Sequence, residues 1–227
     1  MKCYVIEQDF EDNKALANAW SRSRSFDGTF KLPFSPNEWV PQRDIRFENG
    51  GVFSYEATLK GANFTSETKR ELNNLHCVVQ SKTGECRETI GVFSVNLSEI
   101  PLVNYRLMAT LERSLPASFE FFAVDEVWDE VHNSVLPGGA YYLVNLLTRI
   151  DSWDKSRTTI YSNTRKDGTT YNTANISKSF LRGDAIGGAS IWRDTVTSHV
   201  LCTETFRKLV EDVGCEGWSF REIRVLG

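Results

Sequence analysis

An apolar lattice occurs twice in this chain, 99 residues apart, and it narrows the possible folds more than any other feature. The segment from Asn104, NYRLMATLERSLPASFEF, lies on the segment from Thr203, TETFRKLVEDVGCEGWSF, so that Leu107 falls on Phe206, Leu111 on Val210, Phe119 on Trp218 and Phe121 on Phe220. Apart from Glu112, which falls on Glu211, the residues between are unlike. In each copy the apolar spacing predicts a helix with Asn104 or Thr203 as N-cap, a stop at Pro116 or Gly214, and then a strand. A helix followed by a strand cannot bury its apolar side alone, so two such units can supply each other's missing face. A coincidental likeness is the other explanation, because short periodic patterns recur freely.

The rest of the chain reads as mixed. KCYVIEQ predicts a first strand, NKALANAWSRSRSFDG a short helix ending at Gly28, and KLPFSPNEWVPQRD, with three of the six prolines, an extended connector. GGVFSYEATLKG predicts a strand, TSETKRELNN a helix capped by Ser66, and ETIGVFSVNL another strand. From Tyr141 to Leu147 both faces are apolar, as in a central strand, and Ser156 to Ser179, with 13 of 24 residues Ser, Thr or Asn, reads as an exposed β-hairpin or a mobile loop turning near Asp167 and Gly168. The expected fold is α+β, one compact unit with duplicated helix–strand elements on a mixed or antiparallel sheet. Residues 1–100 form an N-terminal α+β part and 101–227 the part with the two units.

A formal net charge of −4 argues against nucleic-acid binding, which needs a concentrated basic surface. Four or five apolar residues before Glu7 are too few for a signal-peptide core, and no run approaches a membrane span, so a cytoplasmic protein is expected. The five cysteines show no C-x-x-C spacing and read as reduced thiols, and no set of four metal ligands converges in the sequence, so neither metal nor cofactor is expected.

No phosphate loop, zinc-protease helix, nucleophile elbow or dinucleotide fingerprint occurs, and none of the three histidines stands in an obvious motif with a Ser or Cys. Asp151 and Asp154 in IDSWD form the sharpest carboxylate pair. As catalysts they would need one raised pKa and a cleft; as structural groups they cap a turn and pair with a cation, for which Arg193 is the candidate. From Glu120 to Glu130, EFFAVDEVWDE carries five carboxylates, no cation, and Phe121, Phe122 and Trp128. This is either a solvated strand edge or a docking surface for a basic protein, with Asp125, Trp128, Asp129 and Glu130 as contacts.

Taken in order, PLVNYRLMATLERSLPASFEFFAV, YYLVNLLTRIDSWD and ASIWRDTVTSHVLCTETFRKLVEDVGCEGWSF resemble bacterial polymorphic-toxin immunity proteins of the immunity protein 11 type. Asn145, Asp151, Asp154, Trp192 and Arg193 stand at the places of that pattern, over a stretch from about Leu102 to the end. The resemblance implies a protein that binds and neutralises a cognate toxin without chemistry or cofactor. An adaptor within a secretion or toxin cluster, or an enzyme using Asp151 and Asp154, are the alternatives.

Overall fold

The computed structural model describes residues 1–8 and 101–227, apart from 125, 130, 131, 133, 136, 138, 165–167, 169 and 216. Between residues 9 and 100 it describes six short strands. In chain order the elements are β1 (Cys3–Gln8), β2 (Trp20–Arg24), β3 (Phe30–Lys31), β4 (Asp44–Arg46), β5 (Val52–Ser54), β6 (His76–Val79), β7 (Thr89–Ile90) and β8 (Leu102–Asn104). There follow α1 (Tyr105–Ser114), β9 (Phe119–Val124), β10 (Glu126–Asp129), β11 (Ser134–Val135), β12 (Tyr141–Leu146), β13 (Arg149–Ile150), β14 (Ile160–Thr164), β15 (Thr170–Ala174) and β16 (Phe180–Arg182). The chain closes with α2 (Gly183–Ile186), β17 (Ile191–Asp194), β18 (Val200–Thr203), α3 (Glu204–Asp212) and β19 (Trp218–Leu226). The fold is α+β in one unit, with mixed and antiparallel sheets.

The repeated lattice is a repeated structure. Each copy is a strand–helix–strand unit, β8–α1–β9 and β18–α3–β19, whose two strands flank a third strand antiparallel to both. In the first unit that central strand is β12, and in the second it is β1. The registers obey the 99-residue shift throughout: Tyr141 faces Asn104 and Val124, while Cys3 faces Thr203 and Ile223. At the other end Leu146 faces Phe119 and Gln8 faces Trp218. The first strand of the chain therefore completes the last unit, across the expected border at residue 100.

Local chemistry explains both helices. Asn104 Oδ1 accepts from the Leu107 amide at 3.0 Å, and α1 ends where the Leu115 amide bonds Leu111 O, just before Pro116. In α3 the stop is Gly214, whose φ of +72° suits glycine, with the Cys215 amide returning to Val210 O at 3.2 Å. Thr203 occupies the N-cap position, but its side chain makes no capping bond; the hydroxyl donates to Ser190 O instead. That is one correction to the sequence reading. Another is the helix expected to run to Gly28, because Trp20–Arg24 pairs with β6 as a strand, tertiary pairing overriding a weak local preference. Residues 9–19 and the helix expected at 65–74 lie outside the described residues.

One core joins the two units. Leu107, Met108 and Leu111 of α1, Phe206 and Val210 of α3, Phe119 of β9 and Trp218 of β19 share a cluster with Tyr4, Ile6, Val144 and Leu146 of the central strands. A second cluster lies on the opposite face of β1, where Val5, Leu201 and Ile223 meet Trp153, Leu181 and Trp192.

Candidate functional site

The segment after β12 is held by a buried carboxylate that the sequence reading did not single out. Asp194, the last residue of β17, is 0 % exposed. Its Oδ2 accepts from the amide and hydroxyl of Ser152, both at 2.9 Å, and its Oδ1 from the amides of Val196 and Thr197, both at 2.8 Å, and the Thr197 hydroxyl at 3.1 Å. Two indoles close the network: Trp192 Nε1 donates to Ser152 Oγ at 3.0 Å and Trp153 Nε1 to Thr197 Oγ1 at 2.7 Å. A buried charge is tolerable only when its oxygens are met by donors in this way. The cue in the sequence is Asp-Thr-Val-Thr, because an Asp commonly binds the amides two and three residues ahead in a turn.

Against this centre the predicted residues take modest places. Asp151 is bridged by Lys155 at the surface. Asp154 accepts from the Ser156 amide at 2.8 Å and hydroxyl at 2.6 Å, bonds that hold its carboxyl below the usual range. Arg193 is buried and donates to Ser198 O at 3.0 Å, holding a residue whose φ is +59°. Asn145, at 2 % exposure, donates to Glu120 Oε2, its directly opposed partner across β12 and β9. The carboxylate that joins IDSWD to IWRD is therefore Asp194.

Beside the network, His199 stacks edge-on against Trp153 with ring centroids 5.9 Å apart. Burial pushes its pKa down to about 4, more than the Asp194 charge raises it. It is a neutral packed imidazole at physiological pH. Ser152 and Asp194, both 0 % exposed, offer a substrate no approach.

The acidic stretch divides. Phe122 is buried and Phe121 packs against the shared core, so these two rings are interior. The reading as a solvated edge is corrected for β10, which has β6 on one side and β11 on the other, with Trp128 opposite both Val78 and Val135. Asp125 and Glu130 lie outside the described residues. Among the described residues no three His, Cys, Asp or Glu side chains gather as metal ligands, and no helix is long and apolar enough to cross a membrane.

The comparison that decides the family is a match to the model of the Immunity protein family (Imm11) over residues 4–225. The chain belongs to that immunity family. The match begins within β1, so it takes in the strand that completes the second unit. No curated protein matches the chain. Immunity families neutralise toxins and are in general non-catalytic. In this Imm11 chain, Ser152, Trp153, Trp192, Arg193 and Asp194 all lie inside the fold.

Proposed function

We propose that this Imm11 protein neutralises one cognate antibacterial toxin by forming a stoichiometric complex in the cytoplasm, without chemistry or cofactor. The observation that carries the reading is the burial of Ser152, Trp192, Arg193 and Asp194 within the segments by which the chain resembles its family: these polar groups fix a turn, a role of rigidity. The remaining carboxylates give catalysis little to work with. A general acid needs a raised pKa, whereas Asp154 is held low by its own turn. The free thiols of Cys3 and Cys202, both buried, fit a reducing compartment.

The proposed contact surface includes Asp125, Trp128, Asp129 and Glu130, with Trp128 as the aromatic anchor and the carboxylates drawing in a basic toxin face. Residues after β1 within the first hundred are a further place for contacts particular to this member.

Co-purification of the chain with the toxin domain encoded by the adjacent gene is the test. A one-to-one complex with a dissociation constant on the order of nanomolar, equivalent to about −12 kcal/mol, is expected. Trp128→Ala should raise the off-rate, and Asp129→Lys with Glu130→Lys should slow association most at low salt. A folded Asp151→Asn, Asp154→Asn variant should protect cells as well as the natural chain. Loss of protection there would favour the enzyme, and co-purification with secretion components in place of the toxin would favour the adaptor.

A further inference from the structure

The ribbon formed by β14 and β15 pairs, among the described residues, only with itself, from Ile160 opposite Ala174 to Thr164 opposite Thr170. Its root is fixed. Ile160 and Ala174 pack on the cluster that holds Trp153 and Trp192, and the Thr158 hydroxyl both donates to Phe180 O at 3.1 Å and accepts from the Phe180 amide at 3.0 Å. The Arg182 amide bonds Ser152 O, tying the returning leg to the Asp194 network. Beyond the root the ribbon is polar: Ser162, Thr164 and Thr170 are exposed, Asn163 bonds Thr173, and Tyr161 is 49 % exposed. A rigid base carrying Tyr, Ser, Thr and Asn is the composition of protein-recognition loops, where Tyr supplies area at small entropic cost.

Charge gives the ribbon a direction. From Lys155 to Arg182 the sequence has six cations, Lys155, Arg157, Arg165, Lys166, Lys178 and Arg182, and one acid, Asp167, within a chain of net charge −4. Lys155 is engaged by Asp151, and Arg182 donates to Asp151 O. Arg157 and Lys178 are exposed. A local excess of cations on a chain that is elsewhere acidic suits a carboxylate-bearing protein face better than a nucleic acid, whose continuous charge the remaining surface would repel.

We propose, on the basis of the toxin-binding reading, that this ribbon and its root recognise an acidic, hydrogen-bonding face of the toxin, with Tyr161 as the anchor and the exposed root cations Arg157 and Lys178 as the charge. The same surface would separate this toxin from others, since an opposed cation rejects a basic face.

The test uses the full chain and the purified toxin domain encoded by the adjacent gene, with association measured at low and high salt. Arg157→Glu with Lys178→Glu should weaken binding at low salt by about tenfold or more and flatten its salt dependence, and Tyr161→Ala should speed dissociation. Melting temperatures should stay near that of the natural chain; the milder pair Arg157→Ser with Lys178→Ser serves if a reversal unfolds it. If the natural chain binds the toxin and the folded variants bind equally, with the same salt dependence, the ribbon proposal falls and the toxin-binding reading stands. No binding by the natural chain removes both. Ribbon-dependent binding of a labelled DNA duplex or single-stranded RNA, or ribbon-dependent self-association, would give the surface a different occupant and overturn the proposal.

Discussion

Phe119 of the first unit and Phe206 of the second lie with ring centroids 6.4 Å apart, both buried in the same core. The contact crosses between the repeats, so neither unit has a private interior. Deleting a ring of this kind costs about 3–5 kcal/mol. Phe206→Ala should therefore destabilise α1 as much as α3, and unfolding in urea should be a single transition by both fluorescence and circular dichroism. Two separated transitions would mean that the repeats fold independently.

The Asp194 network makes a ranking of variants. Asp194→Ala leaves a set of buried donors without their acceptor and should cost about 3–5 kcal/mol, whereas Asp151→Asn loosens an exposed pair worth roughly 0–1 kcal/mol. Ser152→Ala, which strips the Trp192 indole of its acceptor, should fall between them at about 1–3 kcal/mol. Thermal melts of the three variants check the order. Equal losses for Asp151→Asn and Asp194→Ala would show the turn to be held from its surface instead.

Acid should find His199. Its pKa is about 4 when folded, below the ordinary value of 6.5, so the unfolded chain binds the extra proton between those values. The neutral buried ring thus contributes stability that is fully present above pH 6.5 and is lost as pH falls toward 4. About 3 kcal/mol is at stake over that window. Below it the surface carboxylate Glu204 follows, held at about 2 by Arg207 first and Tyr4 second. Chemical denaturation at pH 7 and pH 4.5 should show the loss in the natural chain and most of it removed in His199→Gln. A natural chain equally stable at both values would contradict this account.

Gly183 supplies a steric test. A Cβ there would meet Leu226 O at 2.7 Å, where β16 runs beside the end of β19. Gly183→Ala should lower stability by about 1–3 kcal/mol, as overpacking against backbone does. A melting temperature unchanged by that substitution would mean that the β16–β19 pairing yields easily.

The repeat was legible because each helix puts its apolar residues on one face, and the lattice Leu107, Leu111, Phe119 and Phe121 recurs as Phe206, Val210, Trp218 and Phe220. The central strands were harder to match. β12 follows the first unit in the chain, while its counterpart β1 precedes both, so no single offset shows that Tyr141 and Cys3 are equivalent. Asp151 and Asp154 drew attention as a carboxylate pair, but the buried acid is Asp194, whose partners at Ser152 and Thr197 come from both sides of the chain. The Asp-Thr-Val-Thr turn is local, but the bonds from Ser152, 42 residues away, have no local spacing. Phe121 belongs to the repeated lattice, whereas Phe122 reads only as part of the acidic stretch; β9 buries residues on both faces, which a charged neighbourhood hides.

Stoichiometric neutralisation is tested by titrating the purified toxin domain with this protein and following the toxin's own activity. Activity should fall linearly and reach its floor at one molecule of inhibitor per toxin, with no dependence on time of mixing once equilibrium is reached. Inactivation that continues at ratios well below one, or a mixture in which the toxin stays active, would contradict stoichiometric neutralisation.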